Sequence, residues 1–144
     1  MWGRPSSCRR TSISLVGEGL FERFPGLRVV SVENGFGWVP AMMWRMDASY
    51  RLLKGEIARL ERLPSEYVSE CCYFCTQPVE EPHRRGDLAK LFEQWPAAED
   101  RLVFASDYAH WDWDSPGTAI PHAVPEPVRR KIFFHNAARL YGFE

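Results

Sequence analysis

Three short apolar runs, each followed by turn-forming residues and separated by stretches of helical periodicity, constrain this chain more than any other feature. The runs are Leu27 to Val32 (LRVVSV), Val68 to Thr76 (VSECCYFCT) and Leu102 to Ala105 (LVFA). All are rich in β-formers and bounded by Gly, Pro or polar turn residues, as expected of buried strands. Between them, Met42, Met46, Tyr50, Leu53, Ile57 and Leu60 recur at helical spacing, with Arg45, Arg51, Lys54, Glu56 and Arg59 on the other face. That pattern is an amphipathic helix, ending before Pro64. Leu88, Leu91, Phe92 and Trp95 mark another, stopped by Pro96. Ile13, Val16, Leu20 and Phe24 form a buried stripe ahead of the first strand, and VRRKIFFHNAARLYGF a terminal helix, with Asn136 as a cap and Gly142 near its end.

The order helix, strand, helix, strand, helix, strand, helix predicts an α/β fold with parallel strands joined by right-handed crossovers. In such sheets ligands bind at the carboxyl ends of the strands. Three loops qualify: Glu33 to Pro40, Gln77 to Gly86 and Ser106 to Pro116. A length of 144 residues suits one domain, here residues 13–144 after a loose, aperiodic leader over 1–12.

Composition excludes several classes of partner. Eighteen Lys plus Arg against nineteen Asp plus Glu leave a formal charge of -1, with no basic excess for nucleic acid or an anionic membrane. No apolar run is long enough to span a bilayer and Met1 to Thr11 lacks the apolar core of a secretory signal, so a cytoplasmic location is expected. Cys8, Cys71, Cys72 and Cys75 are crowded rather than spread as a disulfide framework, which predicts reduced thiols. Cys72-Tyr73-Phe74-Cys75 is a lone CxxC. On a strand its two thiols face opposite ways, which argues against a shared metal.

The chemistry-bearing residues cluster after the third run. Asp107 follows an apolar strand, where a carboxylate is held rigid and can face a pocket, and His110, Asp112 and Asp114 come next. Imidazole and carboxylate are ligands for zinc, manganese or iron, and a carboxylate beside a metal-bound water can take its proton. The plainer alternative is a turn cap with solvated neighbours. Glu33 closes the first run, where a carboxylate is costly unless paired with a cation or functional. Gly35-Phe36-Gly37 lacks the third glycine of a dinucleotide fingerprint. His83 and His122 lie in polar loops, and His135 belongs to a helix surface.

Four segments, FERFPGLRVVSVENGFGWVPAMMWRMD, YFCTQPVEEP, RLVFASDYAHWDWDSP and KIFFHNAARLYGF, together resemble the carboxyl-terminal part of the amidohydrolase superfamily. The likeness is to its amidohydrolase-related branch of metal-dependent hydrolases and decarboxylases, which includes aminocarboxymuconate semialdehyde decarboxylase, and it runs from about Ile13 onward. It implies the last three βα units of a TIM (β/α)8 barrel, apparently truncated, with a divalent metal at the mouth. Asp107 matches the family aspartate that acts as metal ligand or proton acceptor. Glu33 matches the position after the sixth strand where decarboxylase members carry a catalytic histidine, and its role is unassigned.

The family's His-x-His pair is found nowhere in the chain. The resemblance implies a metal-dependent hydrolase that uses metal-activated water on a small carboxylate or amide-like substrate, while the missing pair favours a chain that has lost the chemistry. One alternative is a carboxy-lyase of the same family. Another is a non-catalytic remnant that associates with a longer partner, or a homo-oligomer, through open sheet edges. The metal, zinc first with manganese or iron next, is not expected to stay on this chain alone.

Overall fold

The computed structural model describes residues 5–53 and 60–143. Three strands form one sheet in the order β1-β2-β3: β1 is Val29–Ser31, β2 Cys72–Cys75 and β3 Leu102–Val103. β2 and β3 run parallel, with Phe74 opposite Leu102 and Cys75 opposite Val103. Helices precede and follow each strand, as the alternation predicts: α1 Pro5–Gly17, α2 Leu20–Arg23, α3 Val39–Leu52, α4 Pro64–Cys71, α5 Ala89–Gln94, α6 Ala98–Arg101, α7 Glu126–Arg130 and α8 Asn136–Tyr141. A 3-10 turn, Arg85–Leu88, leads into α5, and a π turn, Lys131–His135, joins α7 to α8.

The chain divides into two compact units. The first holds residues 1–29 and 38–72 and is helical. Its buried side chains include Val16, Phe21, Val39, Met42, Met46, Tyr50, Tyr67 and Val68. Met42, Met46 and Tyr50 form the predicted apolar face of α3, but the helix ends at Leu52, and Leu53 is exposed. Lys54, Glu56, Ile57 and Arg59 lie outside the described residues.

Two expectations fail here. The first helix begins at Pro5 rather than Ile13, and it stops where Gly19 takes a left-handed φ of 68°. That residue resets the helical phase for α2, so Phe21 is buried and Phe24 exposed, while in α1 Val16 is buried and Ile13 of the expected stripe is exposed. The run Val68 to Thr76 is also not one strand. Its first four residues belong to α4, and only Cys72–Cys75 is extended.

Start signals decide that boundary. Pro64 occupies the first turn of α4, and the Glu66 carboxylate accepts the Leu63 N–H at 2.7 Å. The Asp47 carboxylate, reaching from α3, accepts both the Ser65 N–H at 2.9 Å and its hydroxyl at 2.8 Å. Ser65 therefore sits inside the first turn instead of capping it. These anions at the helix N-terminus, worth about 0.3–1 kcal/mol each, favour a helical start against the context-dependent β-preference of Tyr67, Val68 and Cys71.

The second unit, residues 30–37 and 73–144, carries residues 33–37 of the first loop and the whole of the two loops that follow β2 and β3. Phe74 and Trp95 meet edge to face at 5.4 Å, both fully buried, and Leu102, Ile120, Val124 and Ile132 are fully buried in the same unit. Asn136 is not a cap. It lies fully buried within the continuous terminal helix, and its amide donates to the Glu99 carbonyl at 2.9 Å and the Leu102 carbonyl at 2.7 Å. The side chain thereby ties the helix to α6 and to β3. Gly142 ends α8 with φ 69°, as its place in the sequence predicts. No described helix is long and apolar enough to cross a membrane.

Candidate functional site

The ladder between β2 and β3 continues past both strands into the third loop. The Thr76 N–H donates to the Val103 carbonyl at 3.0 Å, and the Ala105 N–H donates to the Thr76 hydroxyl at 3.2 Å. Beyond this support the chain turns sharply at Asp107, whose φ is 55°. The His110 N–H donates to the Asp107 carbonyl and the Asp114 N–H to the Ser106 carbonyl, each at 2.8 Å, which closes residues 106–114 into a fixed loop.

That closure gathers three of the predicted groups. His110 Nδ1 lies 2.9 Å from Asp112 Oδ1 and 3.6 Å from Asp107 Oδ2. One donor atom from each of Asp107, His110 and Asp112 falls within 4.8 Å of the others. Asp107 is the most sheltered of them, at 28 % side-chain exposure against 62 % for His110. The hydrogen bond to Asp112, then the charge of Asp107, pushes the His110 pKa above the usual imidazole value. Asp112 is lowered in turn by the bond from His110.

Glu33 also bears on this cluster, since its charge adds to the upward pressure on His110. It is exposed, not buried at the strand end, and like Asp107 it has a positive φ, here 56°. Among the described residues these two are the only non-glycine positions with left-handed backbone. Asp114 stays apart from the cluster: its Oδ2 accepts the Val79 N–H at 3.4 Å, while burial raises its pKa.

The donor chemistry fits a divalent ion in part. Two carboxylates and an imidazole suit manganese, zinc or iron, provided Nδ1 gives up its proton. All three donors come from one loop, and two of them are open to water. Elsewhere, His83, His122 and His135 are exposed and outside this group, and His122 instead accepts from Arg129 at 2.9 Å. Cys71, Cys72 and Cys75 are buried free thiols, and burial raises the Cys75 pKa. Cys75 is thereby a poor thiolate, and none of the three belongs to a metal-ligating group among the described residues. The side chain of Cys8 lies outside those residues.

The second loop supplies what the sequence reading missed. Glu80 Oε1 accepts the N–H groups of Phe36 at 2.9 Å and Gly37 at 2.6 Å. A Cβ at Gly35 would meet that oxygen at 2.5 Å, and one at Gly37 would lie 3.0 Å from the Glu80 carboxyl carbon. The two glycines therefore admit a carboxylate of the chain itself, which explains the Gly35-Phe36-Gly37 pattern. Gln77 is buried, and its amide donates to the Asp112 carbonyl at 3.2 Å. The only signal available beforehand was a polar Gln and Glu flanking Pro78 just past a strand.

A family model described as amidohydrolase matches residues 2–143. The chain belongs to the amidohydrolase family. Among solved structures it is similar to 5-carboxyvanillate decarboxylase LigW from Sphingomonas paucimobilis, at 25% identity with a TM-score of 0.77. It is also similar to a dihydroxybenzoic acid decarboxylase from Polaromonas sp. JS666 with bound manganese and the inhibitor 2-nitroresorcinol, at 24% identity and a TM-score of 0.74. A 2,6-dihydroxybenzoate decarboxylase from Rhizobium matches at 22% identity and a TM-score of 0.71. The matches cover 98%, 99% and 99% of this amidohydrolase chain and 41%, 42% and 43% of those structures. The chain thus spans less than half the length of each. No curated protein sequence matches it.

Proposed function

We propose that this amidohydrolase chain carries the Asp107 corner of a metal-dependent carboxy-lyase site, one that removes CO2 from a small aromatic acid. The observation that carries the reading is the likeness to 5-carboxyvanillate decarboxylase, at a TM-score of 0.77 over 98% of the chain. It supports the carboxy-lyase alternative over the hydrolase that the sequence reading put first. In this reading β1, β2 and β3 are the last three strands of a (β/α)8 barrel, with their loops at its mouth.

Asp107, His110 and Asp112 would hold the ion, manganese or zinc, and the second loop would keep their own loop in place. When bound, the ion supplies a Lewis acid for an oxygen of the substrate. Asp107 then serves as ligand or proton acceptor, and Glu33 is the further carboxylate at the mouth. In the overall reaction the bond from carbon to the carboxyl group breaks, CO2 leaves, and a proton takes its place on carbon. The open ring edges of Tyr108, Trp111 and Trp113 lie on the same loop as the cluster.

The rival is a non-catalytic chain that associates with a longer amidohydrolase, or with a second copy of itself. It is supported by the absence of any His-x-His from the sequence, which leaves the ion with ligands from one loop. One experiment separates the readings. The full chain, loaded with Mn2+ or Zn2+, is incubated with hydroxybenzoic acids and with aryl amides, and CO2 and amine release are followed. Metal-dependent CO2 release that falls by about 10²-fold or more in Asp107→Asn supports the carboxy-lyase. Amine release without CO2 supports the hydrolase, and no turnover with capture of a longer amidohydrolase supports the rival.

A further inference from the structure

Residues 77–80 supply no donor atom to the Asp107, His110 and Asp112 group, yet both polar side chains of this segment bond to neighbouring loops. On one side the buried Gln77 amide donates to the Asp112 carbonyl at 3.2 Å, and the Val79 N–H donates to Asp114 Oδ2 at 3.4 Å. On the other, Glu80 Oε1 gathers two successive backbone N–H groups, of Phe36 and Gly37, three and four residues past Glu33. The loop after β2 therefore holds the loop after β1 with one end and the loop after β3 with the other. We infer that Gln77 and Glu80 are positioning residues, a strap that sets the spacing between Glu33 and the Asp107, His110 and Asp112 group.

Three features support this inference. A carboxylate that accepts two backbone N–H groups makes charge-assisted bonds, about twice as strong as neutral ones, and fixes the peptide planes it binds. Gly35 takes a φ of +63° and leaves room for the Glu80 oxygen where a Cβ would stand 2.5 Å away, so the approach is built into both partners. Asp107 and Glu33 themselves sit on left-handed backbone, a conformation that persists for such residues only where surrounding contacts hold it. The bonds that Gln77 and Glu80 make are of that kind, since each ends on the backbone of the loop that presents one of these carboxylates.

The inference rests on the proposed site only for the purpose of the spacing, and its test is arranged to be independent of turnover. The full chain and its Glu80→Ala, Glu80→Gln, Gly35→Ala and Gln77→Ala variants are compared by NMR. Amide exchange is followed at Phe36 and Gly37, and Mn2+ alone is added as a probe that broadens nearby signals. In the parent chain Mn2+ is expected to broaden both His110 and Glu33. Glu80→Ala should speed exchange at Phe36 and Gly37 by about tenfold or more and lower the broadening at Glu33 relative to that at His110. Glu80→Gln should restore both, because its amide oxygen still accepts.

Gly35→Ala should mimic Glu80→Ala without touching the carboxylate, which keeps the inference testable if the latter does not fold. Gln77→Ala should shift the signals of residues 110–114 while sparing exchange at Phe36 and Gly37. Unchanged exchange in both Glu80→Ala and Gly35→Ala overturns the strap, as does a ratio of Glu33 to His110 broadening that is unchanged in them. Equal behaviour of Glu80→Ala and Glu80→Gln overturns it as well. Mn2+ that leaves His110 untouched in the parent chain removes the metal reading instead. The exchange data, with protection at Phe36 and Gly37 lost in Glu80→Ala and kept in Glu80→Gln, then decide the strap alone.

Discussion

The helical unit and the unit that bears the loops are held together by different means. In the first, contacts among α1 to α4 are apolar packing with polar groups spent on helix ends: Asp47 on the start of α4, and Glu22 on the Tyr67 hydroxyl and the Glu61 N–H. The second uses such side-chain to backbone bonds too, but there they end on a strand and on the loops of the candidate site, as Asn136 does on β3 and Glu80 does on the first loop. Packing tolerates substitution of like for like, whereas a side chain aimed at a particular carbonyl or N–H does not. A site whose groups must stay put is better served by the second arrangement.

The largest expected break in that comparison is in the core beneath the loops. Phe74→Ala removes a fully buried ring that meets Trp95 at 5.4 Å, and should cost about 3–5 kcal/mol in denaturant unfolding. A loss below about 1 kcal/mol would refute the packing described. Next comes Asn136→Ala, which strips the Glu99 and Leu102 carbonyls of their donor and should cost about 1–3 kcal/mol. A neutral result would show that the amide does not link the terminal helix to β3.

In the helical unit Asp47→Ala should cost only about 0.5–2 kcal/mol, the usual range for loss of a helix N-terminal acceptor. If it instead exceeded the Asn136→Ala loss, the contrast between the units would be wrong. A gentler probe is thiol reactivity. Cys75 is buried with its pKa raised, so a disulfide reagent at neutral pH should modify it far more slowly in the folded chain than in denaturant. Equal rates would place it at the surface.

The smallest effect concerns His110. Its pKa is raised by Asp112 and then Asp107, so the pair's contribution to stability is fully present below the unfolded imidazole pKa and fades as pH rises through the higher folded one. On the acid side the same pair fades as pH falls through the lowered pKa of Asp112. NMR titration of His110 in the metal-free chain should give a midpoint above that of a free histidine, moving down in Asp112→Asn. A midpoint that does not move in the variant breaks the pairing. Both groups are open to water, so the effect on unfolding should be slight.

Much of the site was legible because a strand followed by an acidic, histidine-bearing turn is a local signal. Asp107, His110 and Asp112 lie within six residues, and the turn needed to gather them is made by their own backbone. Asp114 belongs to the same stretch but faces Val79, which no spacing rule distinguishes. Gln77 and Glu80 escaped notice because their partners are 35 and 43 or 44 residues away, and no pattern along the chain marks such pairs.

The order of elements, the apolar face of α3 and the cluster after β3 follow from local periodicity and spacing, and so the sequence by itself determined them. The tertiary structure decided where α4 ends and β2 begins, because the anions that hold the start of that helix include Asp47 from another helix. It also decided that Asn136 is an internal tie, that Glu33 is exposed, and that two glycines make room for Glu80. Each of these depends on which distant groups meet, and only the packed chain sets those distances.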